Sequence, residues 1–162
     1  MDTQPNITYS IVEGGNAGIG NLNYDPQFVT PNPQGISPTI GGDYHLKANS
    51  LAINRGDNGS ISLTDVDLEA NLRRFAGERV DMGAYEFQGT AIARLVISIQ
   101  TGNWESNLTW DIGSIPLLSD YVIIDQNHVI TINQTGVAKK IEYRGTGAIK
   151  FNSPSSKLNI GF

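Results

Sequence analysis

The chain has 162 residues, no cysteine, 18 glycines and a net charge of −5. The missing cysteines exclude disulfides, thiolate zinc sites and cysteine nucleophiles, and the acidic balance argues against a nucleic-acid partner. No apolar run reaches the roughly 18 residues of a membrane span, so we expect no membrane insertion. The charge is uneven, since residues 1–90 carry −6 and residues 91–162 carry +1. We therefore expect two parts, 1–88 and 89–162.

The predicted elements of the first part are strands, with one exception. The β-rich runs are Ile7–Val12 and Arg79–Phe87, and Ala91–Ile99 follows the junction. The exception is Thr64–Arg74, the one candidate for a helix, where Thr64 would be the cap and acidic residues would fill the first turn.

Beyond Trp110 the strand pattern becomes regular. Short runs start 7 to 12 residues apart, and the period of two within them indicates one buried face. These runs are Tyr121–Asp125, His128–Ile132, Lys140–Tyr143, Ala148–Phe151 and Lys157–Ile160. The spacing permits a β-sandwich or a parallel β-solenoid. Abundant Gly and Asn favour the solenoid, because its tight corners need residues that tolerate positive φ.

A series of short motifs runs in a fixed order from Ile7 to Glu86. It consists of residues 7–15, 25–29, 43–46, 50–57, Asp65-Val66-Asp67, Arg73-Arg74 and 79–86. The series resembles the C-terminal end of the right-handed parallel β-helix in choice-of-anchor Q proteins. One departure is that this family usually has Gly-Asn-Pro-Arg after its Asp-x-Asp, whereas residues 68–72 intervene here.

The second part carries a different set of motifs. They are Gly102-Asn103-Trp104, Trp110, Gly113, Pro116, 120–124 and 128–132. Over residues 100–162 the chain resembles the start of the eight-glycine type of β-helical module of secreted and surface proteins of the Bacteroidetes. The two resemblances imply an all-β, right-handed parallel β-helix. They also imply a segment of a larger secreted or cell-surface protein, with its signal peptide and anchor outside this chain.

Two function classes remain open. The first is a non-enzymatic structural or adhesive segment. The second is an accessory carbohydrate-binding region of a polysaccharide-active enzyme, with an extracellular polysaccharide as partner and the catalytic coils outside this chain. An acidic cluster repeated at the coil period would favour the enzyme, and the sequence has none.

Two sets of residues are candidates for ligand binding. Trp104 and Trp110, with Glu105 and Asn107, could stack on and hydrogen-bond to a sugar, or the two indoles could cap the strands that follow. The triplet Asp65, Asp67 and Glu69 could present oxygens to Ca²⁺, or could be a solvated acidic loop. The triplet does not fit an EF-hand loop, and no other cofactor is expected.

The motif at residues 79–86 combines carboxylates with nearby arginines. Asp81 and Glu86 are five positions apart, so in a strand they would face opposite sides, which argues against a catalytic pair. We expect an ion-pair staple instead, formed by Asp81 with Arg73 or Arg79 beside Tyr85. Gly83 would mark a bulge or a close backbone approach.

The two histidines, His45 and His128, lack the spacing of a zinc site. No motif of a serine hydrolase or of a nucleotide-binding loop occurs either. The sequence therefore predicts no catalytic residue.

Overall fold

The computed structural model describes residues 5–33, 35, 41–75 and 78–161. The chain divides into two compact units, Met1–Ile92 (unit 1) and Ala93–Phe162 (unit 2), four residues after the junction expected from the sequence. Regular structure in the described residues is almost entirely β-strand, with short 3₁₀ turns such as Asn58–Ser60 and Asn107–Thr109. The predicted all-β class is confirmed.

Unit 1 is built mainly from loops around a small core. Its strands β1 (Phe28–Thr30) and β2 (Asp43–Leu46) pair antiparallel. The predicted strand Ile7–Val12 contributes a single parallel bridge, from Ile11 to Leu22. Tyr9 breaks this run because its backbone is left-handed, with φ of 46°.

The candidate helix at residues 64–74 is not formed. The chain turns back on itself there, with an antiparallel bridge between Val66 and Leu72 and with Ala70 at φ 65°. The Asp67 carboxylate accepts hydrogen bonds from the backbone N–H groups of Glu69 and Asn71. Such local bonds compete with helix formation, which explains the difference.

Unit 2 is a parallel β-solenoid of about three turns, so the solenoid is confirmed and the sandwich alternative is not realised. Its three sheets are β3-β5-β8, β4-β6-β9 and β7-β10, all parallel. The strands are β3 (Leu95–Ile97), β4 (Gly102–Asn103), β5 (Tyr121–Ile124), β6 (Val129–Ile132), β7 (Thr135–Ala138), β8 (Lys140–Tyr143), β9 (Ala148–Phe151) and β10 (Lys157–Ile160). Coil 1 contains β3 and β4, coil 2 contains β5 to β7, and coil 3 contains β8 to β10.

The solenoid core is formed by residues stacked in register from coil to coil. Val96 aligns with Val122 and Ile141, and Ile130 aligns with Ile149. Equivalent positions in coils 2 and 3 are 19 to 22 residues apart. Five of the predicted strands match these elements, and β7 was missed. The predicted strand Ala91–Ile99 is reduced to β3.

Candidate functional site

The closing segment of unit 1, residues 79–87, is organised by buried carboxylates. The two oxygens of Asp81 accept the backbone N–H groups of Asn54 and Phe87, each at 2.7 Å. The Glu86 carboxylate in turn accepts the N–H of Asp81 at 3.1 Å. Because these amides bind side chains, they are not available for a strand ladder, and the predicted strand at Arg79–Phe87 is irregular backbone instead.

A third buried carboxylate, Asp67, joins the turn at residues 65–72 to the closing segment. Its Oδ2 accepts the N–H of Glu86 at 2.9 Å, while Oδ1 accepts the N–H groups of Glu69 and Asn71. Each of these bonds satisfies a backbone donor, so Asp67 acts as a structural acceptor in this turn.

The environment shifts the pKa values of these carboxyl groups in different directions. Burial and the negative charge of Asp81 raise the pKa of Glu86 to about 7. Burial also raises the pKa of Asp81, against the opposing effect of its two amide bonds. Burial favours a higher pKa for Asp67 too, but its hydrogen bonds outweigh this and lower the pKa to about 2.

The arginines of the predicted staple donate to carbonyl oxygens. Arg73 donates to the carbonyl of Gly83 at 2.8 Å, and Arg79 donates to that of Gly56 at 2.9 Å. The predicted ion-pair staple is therefore wrong in its partners, since these two arginines bind backbone carbonyls and not the Asp81 carboxylate. The positive charge of Arg73 acts to lower the pKa of Asp81, while the oxygens of Asp81 accept hydrogen bonds from backbone amides.

Gly83 does not lie at a close backbone approach, contrary to the expectation. A Cβ at this position would come no nearer than 3.5 Å to the Tyr85 carbonyl oxygen, an ordinary contact. The close approach is at Gly56, where a Cβ would be 2.7 Å from Val80 Cγ1 and 2.9 Å from the Asp81 carbonyl oxygen. The sequence offered no sign that separates these two glycines.

A cleft of about 1040 Å³ opens beside the closing segment, within unit 1. Its walls come from three distant segments of the chain, residues 8–28, residues 56–61, and residue 73 with residues 80–83. The third segment contributes Arg73, Asp81 and Gly83, so the structural motif forms part of this wall. Sequence reasoning missed the cleft, because no local pattern shows that these three segments meet.

The Tyr9 ring lies in the wall of the cleft in a constrained position. Its backbone N–H donates to the Ile19 carbonyl at 2.8 Å, and the Arg79 guanidinium carbon lies 5.6 Å from the ring centroid. The ring packs on Gly20, where a Cβ would be 2.5 Å from the ring. Since an aromatic residue at positive φ is rare, the surroundings hold Tyr9 in this conformation.

The three acidic side chains proposed for Ca²⁺ do not converge. Asp65 accepts bonds from the N–H and hydroxyl of Ser62, Asp67 is directed to the closing segment, and Glu69 lies 3.2 Å from His45. Among the described residues, no group of three or more His, Asp or Glu side chains could hold a metal ion. The turn places each carboxylate in a different hydrogen-bond network, so the geometry does not support this site.

His45 links β2 to the turn of unit 1. Its Nδ1 lies 2.6 Å from Asp43 and its Nε2 lies 3.2 Å from Glu69, while its ring stacks on Tyr85 at 4.0 Å. Hydrogen bonds to Asp43 and then to Glu69 raise the pKa of His45. Both ring nitrogens therefore face acceptors, which favours the cationic form.

His128 forms a hydrogen bond with Ser98, at 2.9 Å between Nδ1 and Oγ. Ser98 Oγ also accepts the N–H of Asp125, and the serine is only 1% exposed. A hydroxyl this deeply buried is not open to a substrate. The pair joins coil 1 to coil 2 and gives no support to a serine nucleophile.

Trp104 and Trp110 are both 1% exposed and belong to the solenoid core. Their rings meet edge to face at 5.1 Å, and the Trp110 indole N–H donates to the Trp104 carbonyl at 2.9 Å. No ring face is open to a sugar in this arrangement. The glycan site predicted at these two rings is therefore not formed in this structure, and the indoles lie where a cap would.

The polar neighbours of the two indoles also have structural contacts. Glu105 accepts the N–H groups of Asn133 and Gln134, at 3.0 and 2.8 Å, in the turn before β7. Asn107 begins a 3₁₀ turn, and its carbonyl accepts the N–H of Trp110. Neither residue is brought to a common ligand site with the indoles.

In the part of the chain that the structure describes, no helix has the length and apolar character needed to cross a membrane. Comparisons with protein-family models, with curated proteins and with solved structures returned no match.

Proposed function

We propose that this chain is a non-enzymatic structural segment of a larger protein, in which a further β-coil stacks on coil 3. The observation that supports this is the exposed end of the solenoid core. Core positions that are closed in coil 2 are open in coil 3, although the side chains there are still apolar.

The register of the strands makes this comparison exact. Ile124, Ile132 and Ala138 of coil 2 are fully buried. The residues stacked on them in coil 3 are Tyr143 at 51%, Phe151 at 48% and Ile160 at 44% exposure. Parallel strands in register place such residues on the same face, so coil 3 presents an apolar surface that a further coil would bury.

The strands of coil 3 also have one unpaired edge each. Strands β8, β9 and β10 each have a hydrogen-bonded partner strand on one side in the sheets described. Strands β9 and β10 each carry one exposed lysine, Lys150 or Lys157. Lysine on an edge strand discourages indiscriminate pairing, and the lysines of two such ends would repel each other. These lysines thus favour a coil with acidic side chains over a second copy of this chain.

The sequence resemblances support the same proposal. The likeness of residues 7–86 to the end of a choice-of-anchor Q β-helix, and of residues 100–162 to an eight-glycine module, fits a spacer in a bacterial secreted or cell-surface protein. The closing segment adds support, since its carboxylates are occupied by backbone amides rather than arranged around a substrate.

The proposal is tested by extending the solenoid. A copy of residues 121–138 is added after Gly161, so that it can form a fourth coil. We expect amide hydrogen exchange in β8, β9 and β10 to slow at least tenfold and the thermal midpoint to rise, because each solenoid coil is stabilised by its neighbours.

The matched control is the same extension with aspartate at the copied positions of Val122, Ile130 and Ile132, which cannot pack on coil 3. An equal effect of both extensions would contradict the proposal. So would a stable dimer of the unmodified chain in light scattering with β8 to β10 already protected, because the occupant would then be a second copy.

A further inference from the structure

The cleft of unit 1 is lined by groups that both donate and accept hydrogen bonds. Hydroxyls come from Thr8, Ser10 and Ser60, and an amide comes from Asn23. Ser10 and Ser60 donate their hydroxyl protons to the Thr8 carbonyl and to Asp57, so they can accept from a ligand, while the Asn23 side chain accepts the Gly14 N–H through its oxygen and can donate through its nitrogen. The volume of about 1040 Å³ lies at the upper end of the range of small-molecule sites, which is roughly 300–1,000 Å³. This lining matches a ligand whose own groups donate and accept at once, as alcohol hydroxyls do.

The charged residues of the lining also indicate the charge that a ligand can carry. Four carboxylates, of Glu13, Asp25, Asp57 and Asp81, face one guanidinium, of Arg73. The excess of negative charge disfavours an anionic ligand. A simple cation is disfavoured as well, because the arginine lies in the same wall and most of the carboxylates already accept internal bonds. Asp57 accepts the Gly59 N–H and the Ser60 hydroxyl, and both oxygens of Asp81 accept amides.

Aromatic and apolar side chains form the remaining surface. Tyr9, Tyr24 and Phe28 line the cleft, and Phe28 is fixed by an edge-to-face contact with Tyr44 at 5.4 Å. Rings next to hydroxyl and carboxyl groups suit the apolar faces and polar edges of sugar rings. The strained backbone of Tyr9 adds weight, because such strain is found preferentially at binding sites.

We propose that this cleft binds a neutral oligosaccharide, through the aromatic wall and the polar groups of residues 8–28, 56–61, 73 and 80–83. The proposal does not depend on the stacking role of unit 2, since it concerns the other unit, and each can fail alone.

The test uses the whole chain and three classes of hexasaccharide. Cellohexaose, xylohexaose, mannohexaose and maltohexaose are the neutral probes, hexagalacturonate is the anionic probe, and a chitosan hexamer is the cationic probe. Binding is measured by calorimetry and by amide chemical-shift changes. We expect at least one neutral probe to bind and to shift amides of residues 8–28, 56–61, 73 and 80–83, with little dependence on salt.

Two variant pairs locate the binding. Gly83→Leu should lower the affinity at least tenfold, because Gly83 lines the cleft and has room for a side chain; Thr64→Leu, at an exposed site outside the lining, should not. Glu13→Gln, at the exposed rim, should weaken binding severalfold, and Glu78→Gln, outside the lining, should leave it unchanged. If Gly83→Leu lowers the thermal midpoint, the comparison of Glu13→Gln with Glu78→Gln still tests whether the ligand binds in the cleft.

Several outcomes would overturn the proposal. These are tighter binding of the anionic or the cationic probe than of every neutral one, binding that survives both Gly83→Leu and Glu13→Gln, and no binding by any probe.

Discussion

In unit 1, individual carboxylates accept backbone N–H groups, a role that strand pairing has in unit 2. Asp67, Asp81 and Glu86 are buried, and together they accept backbone N–H groups from segments far apart in the chain. A buried amide without an acceptor is costly, so these side chains allow a compact unit with few strands. Of these three residues, Asp81 also lines the cleft, which ties the stability of the closing segment to the shape of the site.

At the residue scale, Gly56 and Gly83 provide a matched pair for mutation. Gly56→Ala should destabilise the protein by about 1–3 kcal/mol, because the new methyl group would lie within 3 Å of Val80 and of the Asp81 carbonyl in a packed region. Gly83→Ala should be neutral or slightly stabilising, since the space is open and alanine restricts the unfolded chain. Chemical denaturation measures both. Equal destabilisation by the two variants would show that the closing segment packs differently.

At the scale of elements, coil 1 is completed by side chains rather than by a third strand. The sheet of β7 and β10 has no strand from coil 1, and the Trp104 ring lies against Gly136 of β7 in that position. A Cβ on Gly136 would be 3.1 Å from Trp104 Cδ2. The indole pair thus covers one end of the core, whereas the other end, at coil 3, remains exposed.

Removing either indole should therefore cost stability. Trp104→Ala and Trp110→Ala should each lower the free energy of unfolding by about 3–5 kcal/mol, the usual cost of truncating a buried aromatic residue. Leu108→Ala, in the adjacent 3₁₀ turn and 70% exposed, is the control and should change it by less than about 0.5 kcal/mol. Denaturation midpoints provide the measurement. Unchanged stability in the tryptophan variants, with loss of an oligosaccharide ligand, would instead support a sugar-binding role.

The elements differ in how far the sequence could predict them. Runs such as Val122/Ile124 and Ile130/Ile132 alternate with period two, because one face of each strand packs into the core, and these strands were predicted closely. Strand β7 was missed because Gly136, which makes room for Trp104, interrupts the apolar pattern. The candidate helix failed because Asp67 binds local amides, a choice that helix propensity does not reveal.

The candidate site could be predicted only in part. The carboxylates and arginines of residues 79–86 led to the prediction of a structural motif. The hydrogen-bond partners of the arginines were predicted wrongly, because the sequence does not indicate which backbone carbonyls will accept. The cleft depends on contacts among three distant segments, which a local pattern does not contain. Tyr9 looked like a strand residue, and only the folded chain shows its left-handed backbone.

On the scale of the whole molecule, the groups with opposed pKa shifts are concentrated in unit 1. Glu86 has a folded pKa of about 7, above its ordinary 4.5, and hydrogen bonds to Asp43 and Glu69 raise the pKa of His45. Both groups bind more protons in the folded state than in the unfolded state. Their contribution to the free energy of unfolding is therefore full at low pH and is lost as the pH rises. Asp67 has the opposite effect, because its pKa is about 2 in the folded state and 3.8 in the unfolded state. It stabilises the folded protein above pH 4, and this stabilisation is lost as the pH falls.

The stability of unit 1 should therefore be greatest near pH 4–5 and should fall in both directions, toward pH 2 and toward pH 8.

Glu86→Gln should reduce the loss of stability between pH 5 and pH 7, since glutamine can still accept the Asp81 amide and carries no charge beside Asp81. At pH 8 the variant should be more stable than the wild type by about 1–2 kcal/mol, given roughly 1.4 kcal/mol per pKa unit and incomplete burial. Denaturation followed by the amide signals of unit 1 measures this at each pH. Both tryptophans lie in unit 2, so their emission follows the unfolding of unit 2 separately from the amide signals of unit 1. A wild-type profile that is flat from pH 5 to pH 8, or one equally steep in Glu86→Gln, would show that Glu86 is not held as a buried, protonated acceptor.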